Sequence, residues 1–393
     1  MRIVVGVAGG IAAYKTCELV SRLVQAGHEV RVIMTSAATA FVGPLTFEAL
    51  SGHPVSTQAT DVSEGPLSHI TLAHWAEAMV VAPATAGLIA RFATGRAEDM
   101  LSLVYLGFRG PVLVAPAMEP DMWTHPRTEM NVGILRSDGV HIVGPREGRM
   151  ASGREGIGRM AEPWELMEAL EDVITPQDLA HVRMVVTAGS TWEHFDPVRL
   201  LTNPSTGLMG VLIANAAARR GAHVHLITGP AVQVPVHHLV TRSTVTSAVE
   251  MLQAVEKVME AADVFVGAAA VSDFRPVESL THKMHKESLP LTWKMQTNPD
   301  IIAMVAQKYH GHKLIVGFAA ETQAPVEQAA LKLRKKGLDA IVANLVGHQE
   351  GFGSGQHHSW LVTAQGAHPI PGDDKACTAN VLLDWIERKL KES

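Results

Sequence analysis

Cysteine is nearly missing from the 393-residue chain. Cys17 and Cys377 stand far apart, with no CxxC pair and no even-numbered framework, which excludes a disulfide scaffold and a structural zinc site. No stripe of lysine or arginine occurs, and the formal net charge is -6, so a nucleic-acid partner held by its phosphates is excluded. No apolar run approaches the ~18 residues of a membrane helix. No basic-apolar-small leader precedes the strand-like opening MRIVVGVAGG, so a cytoplasmic protein without a membrane partner is expected. HExxH spacing is absent too. Pairs such as His237-His238 and His357-His358 sit in turn-like segments, where solvation rather than metal binding is expected.

What is present is material for large cores. Hydrophobic residues make up 47% of the chain, charged residues 18% and aromatics only 5%, with Ala, Val, Leu and Gly dominant. That balance favours a globular chain in which helices pack tightly on parallel strands. The length suggests two or three domains.

The chain opens a β-α-β unit twice. Ile3-Val4-Val5-Gly6-Val7 reads as a buried strand, Ala8-Gly9-Gly10 as a tight turn, and residues 11–26 as a helix with Leu19, Val20, Leu23 and Val24 inward. Gly27 ends it before the strand Val30-Arg31-Val32-Ile33-Met34. The second opening runs from Met184-Val185-Val186-Thr187 through Ala188-Gly189-Ser190 and, after a detour, to a helix over 210–220 and the strand Val224-His225-Leu226-Ile227. Between them, Val173-Ile174-Thr175-Pro176-Gln177-Asp178 reads as a linker. Further strands are expected at 79–82, 112–115, 264–267, 314–317 and 341–343, most running into small residues that let a ligand approach the backbone.

Neither half carries a full GxGxxG followed by an acidic ribose reader, which disfavours NAD. In the first half Met34 leads instead into Thr35-Ser36-Ala37-Ala38. These hydroxyls suit a mononucleotide such as FMN, whose single phosphate would sit on amides near residues 9–12 and on the Ser36 hydroxyl. After the strand at 112–115 comes PAMEPDMW at 116–123, two methionines, a tryptophan and two carboxylates where α/β folds tend to bind ligands.

GGIAAYK at 9–15, HITLAHW at 69–75, APATA at 82–86, PAMEPDMW at 116–123 and SGREGIGRM at 152–160 follow one another in the order of the flavin-containing cysteine decarboxylases. Over about 170 residues the first half resembles their phosphopantothenoylcysteine decarboxylase branch. The resemblance implies that His69 is the active-site histidine and that Gly9, Gly10, Ile11, Ser36, Ala84 and Thr85 contact FMN. It also implies that PAMEPDMW closes over substrate, and that the cysteine thiol is oxidised so that the neighbouring C=S accepts the electrons left by the departing carboxylate. An enethiol must then be protonated and reduced. The chain departs from the family in Glu119 for an asparagine, Gly87 for an asparagine and Ser152 for a cysteine. Glu119, expected to be buried beside Met118, Met122 and Trp123, is the candidate replacement acid.

In the second half the informative stretches are TAGSTWEHFDPVRLLTNPSTGLMG at 187–210, AAAVSDFRP at 268–276, HKMHK at 282–286, NPDII at 298–302, GFAAET at 317–322 and KLRKKGLDAIVAN at 332–344. Ser205-Thr206-Gly207 before a helix forms an anion cradle, Asp273 is a metal or ribose ligand, and Lys283, Lys332 and Lys336 are countercharges for a triphosphate. This half resembles phosphopantothenate-cysteine ligase. The order of the two halves is that of the bacterial bifunctional enzymes of coenzyme A biosynthesis. The resemblance implies that CTP, with Mg2+ shielding its phosphates, activates 4'-phosphopantothenate as an acyl-cytidylate. Asn203 would stabilise that intermediate and Arg199 orient the substrate, while Lys283 holds CTP and assists amide formation. Asp273 would meet nucleotide or metal, Pro299, Asp300, Ile301, Ile302 and Phe318 would frame the cytidine, and Ser205, Gly207, Lys332 and Lys336 would meet phosphate. Leu208 and Leu345 remove two of the family's polar contacts.

The expected fold is α/β, with two doubly wound Rossmann-like domains. The first is a flavodoxin-like flavoprotein domain over 1–176, the second a nucleotide-binding ligase domain over 181–393. A homo-oligomer, a dodecamer built from trimers, is implied by the resemblance alone. Two other readings remain open at this stage: a ligase with a degenerate or regulatory flavoprotein half, and a nicotinamide oxidoreductase.

Overall fold

The structure, a computed structural model, describes residues 1–59, 67–283, 285, 292–346, 358–372 and 374–392. Met284, Lys286 and His357 lie outside the described residues. The chain divides into two compact units, Met1–Thr175 and Pro176–Ser393.

In the first unit β1 (Arg2–Val7) leads into α1 (Ala13–Gln25). The helix starts two residues later than its apolar pattern predicts, because the Ala13 N–H donates to the Gly10 carbonyl (3.0 Å) in a turn that leaves Ile11 61% exposed. Ala13, Thr16, Leu19, Val20 and Leu23 form its buried stripe. Each fully buried leucine there contributes about 1.5–3 kcal/mol of hydrophobic stabilisation. The chain continues through β2 (Glu29–Met34), a short 3-10 helix (Ser36–Ala40), α2 (Pro44–Ser51) and α3 (Ser68–Trp75). Next come β3 (Ala78–Ala84), α4 (Ala86–Ala93), α5 (Met100–Gly107), β4 (Val112–Pro116), α6 (Pro120–Trp123), α7 (Pro126–Ser137) and β5 (His141–Ile142). A hairpin of β6 (Arg146–Arg149) and β7 (Glu155–Arg159) and the helix α8 (Pro163–Ile174) complete the unit.

The five parallel strands stand in the order β2-β1-β3-β4-β5. This is the flavodoxin-like order, which reverses between β1 and β3. Every residue of β3 and β4 is buried, as expected of a sheet covered by helices on both faces. One face packs on α1 and α8, the other on α3, α4, α5 and α7.

The second unit runs β8 (Arg183–Ala188), β9 (Glu193–His194), β10 (Leu200–Leu201), α9 (Leu208–Arg219), β11 (His223–Thr228), β12 (Thr241–Thr244) and α10 (Ala248–Met259). Then follow β13 (Val264–Gly267), β14 (Phe274–Pro276), β15 (Met295–Thr297), α11 (Ile301–Tyr309), β16 (Leu314–Glu321), α12 (Pro325–Lys336) and β17 (Ala340–Leu345). The last elements are β18 (Ser359–Thr363), β19 (Gly366–Pro369) and α13 (Lys375–Glu392). The main sheet has the order β12-β11-β8-β13-β16-β17-β18-β19. Its first six strands are parallel and reverse direction between β8 and β13. The last two are antiparallel additions. Helices α9 and α13 pack on one face, α10, α11 and α12 on the other. Among the described residues no helix is long and apolar enough to cross a membrane.

Candidate functional site

Each parallel sheet reverses strand order once, and ligands bind at the carboxyl ends of the strands flanking such a point. In the first unit these are β1 and β3. Gly9 and Gly10 follow β1, and close approach rather than turn geometry demands glycine at the first. A Cβ on Gly9 would lie 2.4 Å from the Ala37 Cβ and 2.8 Å from its carbonyl carbon, neither of which is a flexible end. One on Gly10 would reach the Thr85 Cγ2 at 4.0 Å. The turn after β1, the 3-10 helix after β2 and the start of α4 thus meet, bringing together Gly9, Gly10, Ser36 and Thr85. Thr85 caps α4 by accepting the Leu88 N–H (3.3 Å). Ala84 is fully buried, and its carbonyl accepts the Ala117 N–H (3.0 Å), so the PAMEPDMW segment begins on the same edge. Ser36 and Ile11 are exposed.

Sequence reasoning passed over Thr35 as an individual ligand. It is buried, and its Oγ1 has no hydrogen-bond partner among the described residues. An orphan hydroxyl beside the Gly9 cradle fits the phosphate of a mononucleotide, so the residues present suit FMN. His69 is half-buried in the first turn of α3, on the same side as the buried Leu72 and Ala73.

The expected apolar pocket around Glu119 is not what the fold builds. Met118 and Trp123 pack against the core, but Met122 is 48% exposed and Glu119 only half-buried. The reason is the β6–β7 hairpin, which lies along the segment. The Met118 N–H donates to the Gly158 carbonyl (3.0 Å), and the approach is so close that a Cβ on Gly158 would lie 2.1 Å from the Met118 oxygen. Ser152, in the hairpin turn, donates its hydroxyl to Oε2 of Glu119 (3.0 Å), and Arg154 pairs with Asp121 (2.5 Å). The hydrogen bond from Asp121 raises the Arg154 pKa. Glu119 and Ser152, the two departures from the family, are therefore direct partners.

In the second unit the reversal between β8 and β13 opens a cleft of about 410 Å³, within the range of small-molecule sites. Ser205, Gly207, Asp273, Pro299, Asp300, Ile301, Ile302, Phe318 and Lys336 all line it. Gly207, with φ +77°, turns the chain into α9, whose first amides open on the cleft. Asp300 caps α11 by accepting the Ala303 N–H (3.2 Å). Asn203 stands beside the cleft with its Nδ2 donating to the carbonyls of Ala270 (3.2 Å) and Val271 (3.3 Å), both in the lining segment.

Other candidates are engaged elsewhere. Arg199 pairs with the fully buried Asp196 (2.5 Å), which also accepts the Arg199 N–H (2.8 Å). The expected phosphate countercharges already hold carboxylates, Lys332 with Glu321 (2.6 Å) and Lys336 with Asp300 (2.7 Å). Lys283 is exposed and is not among the lining residues, whereas Asn344 and Lys375 are, and sequence reasoning gave neither a role. Burial pushes the Lys375 ammonium below the usual lysine range.

Residues 1–175 match the family described as Flavoprotein, and residues 179–390 match the DNA/pantothenate metabolism flavoprotein C-terminal domain. The coenzyme A biosynthesis bifunctional protein CoaBC of Escherichia coli (strain K12) is 43% identical over 397 residues, spanning 100% of this chain and 98% of that protein. The CoaBC protein of Mycobacterium bovis (strain ATCC BAA-935 / AF2122/97) is 43% identical over 402 residues, 98% of this chain and 96% of its own. A crystal structure of the C-terminal domain of a CoaBC protein covers 55% of this chain and 100% of that one, with 32% identity and a TM-score of 0.47.

Proposed function

The chain belongs to the family of coenzyme A biosynthesis bifunctional proteins, with a flavoprotein half and a ligase half, and from that premise we propose how its two units divide the work. The second unit joins 4'-phosphopantothenate to cysteine using CTP and Mg2+. The first decarboxylates the product with FMN, giving 4'-phosphopantetheine. The observation that carries this reading is the single cleft at the β8/β13 reversal, in which an anion-binding helix start, an exposed carboxylate and the Pro299, Asp300, Ile301, Ile302 run converge.

For ligation, the substrate carboxylate attacks the α-phosphorus of CTP and pyrophosphate leaves. Cysteine's amine then attacks the acyl carbon and CMP leaves. The amides after Gly207 and the Ser205 hydroxyl receive phosphate. Asp273 holds Mg2+ against the phosphates. Asn203, oriented by its bonds to Ala270 and Val271, offers polar stabilisation to the acyl-cytidylate, and Arg199, steadied by Asp196, orients the substrate. Lys283 supplies positive charge from the segment beyond Asp273. Lys332 and Lys336 exchange Glu321 and Asp300 for phosphate oxygens.

For decarboxylation, FMN when bound supplies the electron acceptance and return that the cysteine carbon needs. The Thr35 and Ser36 hydroxyls and the amides after Gly9 hold its phosphate, with Ala84 and Thr85 bordering the ring and Ile11 covering it. His69 moves a proton at the substrate thiol. Glu119 supplies a proton to the enethiol carbon, and Ser152 holds that carboxyl group in position through the 3.0 Å bond.

The exposed apolar side chains of Ile11, Tyr14, Phe41 and Leu45, near the flavin segments, support assembly as a homo-oligomer, with trimers building a dodecamer in the cytoplasm. The experiment that tests the whole reading supplies 4'-phosphopantothenate, cysteine, CTP and Mg2+ to the purified chain and identifies products by mass. A chain that yields neither the amide nor 4'-phosphopantetheine refutes it.

A further inference from the structure

One wall of the nucleotide cleft offers what a triphosphate does not need. Asn344, near the carboxyl end of β17, and Lys375, the first residue of α13, both line it. Pairing between elements sets them side by side. The β17–β18 register places Asn344 opposite Ser359, whose Oγ lies 3.2 Å from Oγ1 of Thr378, and Thr378 is one turn along α13 from Lys375. Ser359 and Thr378 are both buried, so this hydroxyl contact ties the start of α13 to the strand.

Asn344 Oδ1 is buried and has no hydrogen-bond partner among the described residues. A buried acceptor of this kind calls for a donor from the ligand. A triphosphate presents only acceptors to it and cannot be that ligand group. A nucleobase can. Register sets Ala320 opposite Asn344 and Phe318 opposite Val342, so Phe318, Ala320 and Asn344 share one face of the sheet and give a flat ring an apolar surface beside the carboxamide.

We propose that Asn344 and Lys375 form the base-reading end of the cleft. Oδ1 accepts from an exocyclic amine of the base, and the lysine donates to the ring nitrogen or carbonyl next to it. This rests on the nucleotide-dependent ligation proposed above and adds the chemistry by which the nucleotide is chosen. Cytosine and adenine both present an amine beside a ring acceptor. Uracil presents a carbonyl to Oδ1 and an N–H to the ammonium, so two like groups oppose each other at once. Asparagine alone could turn its amide over to suit uracil, but a lysine ammonium cannot become an acceptor. Partial burial of Lys375 strengthens the discrimination, because a desolvated donor loses more when its partner is wrong.

The test is calorimetric binding of CTP, UTP and ATP to the full chain and to the variants Asn344→Leu and Lys375→Met, alongside rates of amide formation with each nucleotide. The wild type is expected to bind CTP about 100-fold more tightly than UTP. Asn344→Leu should lose most of that preference by weakening CTP while leaving UTP nearly unchanged, and Lys375→Met should move the same way. An ATP affinity that falls with that of CTP in Asn344→Leu identifies the shared amine edge, and failure of the wild type to bind ATP narrows it to cytosine. Equal weakening of CTP and UTP in both variants, or a wild type without preference, overturns base reading. If Asn344→Leu does not fold, Lys375→Met decides alone. A wild type that prefers CTP but forms no amide counts against the ligation and leaves the base reading standing.

Discussion

Exchanging Glu119 for glutamine separates two roles that the site assigns to one side chain. Glutamine keeps an oxygen where Oε2 accepts the Ser152 hydroxyl at 3.0 Å, but carries no ionisable proton. Structurally the change is small. A hydrogen bond to a charged group is worth about 1.5–3 kcal/mol and a neutral one about 0.5–1.5, so the hairpin's hold on the segment weakens by roughly 1 kcal/mol, less where the group is half-exposed. Loss of a general acid costs about 10² to 10⁴ in rate, or roughly 3–5.5 kcal/mol of barrier. The second effect is the larger, so kinetics and stability should come apart. With phosphopantothenoylcysteine as substrate, the variant should release carbon dioxide and accumulate the enethiol, two hydrogens lighter than 4'-phosphopantetheine, while its unfolding transition stays close to the wild type. Ser152→Ala removes only the positioning bond and should slow the final step by less than about tenfold. If Glu119→Gln delivers the reduced product at an undiminished rate, Glu119 is not the acid and the hairpin contact is structural.

Asn203→Ala and Lys283→Gln should each lower amide formation by about 10² to 10³ while flavin content is unchanged; normal turnover in both would remove them from the ligase mechanism. Gly9→Val must displace Ala37, so the protein should lose its yellow colour on gel filtration and bind added FMN at least about tenfold more weakly, and a variant that stays yellow would place the phosphate elsewhere. Lys15 bonds Glu162 at 2.7 Å between α1 and α8 and holds its pKa below the ordinary 4.5. Stability from this pair is therefore present above pH 4.5 and lost as pH falls through the lower folded value. Thermal unfolding of Glu162→Gln should show a deficit of about 1 kcal/mol at pH 7 that closes in acid. A deficit constant across that range would assign the loss to packing.

The repeated β-α-β opening was legible because valine runs and glycine turns repeat at both starts, and a strand buried on two faces has few alternatives to such a run. The nucleotide residues were legible as motifs, and their convergence follows from a strand order that alternation of strands and helices strongly suggests. Other features depend on contacts between distant segments. The hairpin of β6 and β7 is charged and glycine-rich, with no alternation to mark it, so Met122 and Trp123 could not be sorted into exposed and buried. Glu119 looked buried for the same reason. Lys375 and Asn344 reach one wall only because β18 and β19 return antiparallel before α13 begins. Neither residue stands in a local pattern that advertises this. Ile11 was counted in a helix because apolar periodicity does not reveal that the preceding glycines continue the turn.

The pairing of Lys332 with Glu321 and of Lys336 with Asp300 bears on how fast a nucleotide arrives, not only on how tightly it is held. Two cations matched to two carboxylates in the same corner project little field beyond their own contacts, and at physiological ionic strength that field is screened within about 8 Å. Long-range attraction therefore contributes little to encounter, and the association rate should vary weakly with salt. Dissociation is different. Once Lys336 has left Asp300 for a phosphate, departure of the nucleotide returns the lysine to a waiting carboxylate, and the leaving step is assisted by the partner that entry displaced. A turnover enzyme gains from this, since pyrophosphate and CMP must both be released before the next substrate is bound.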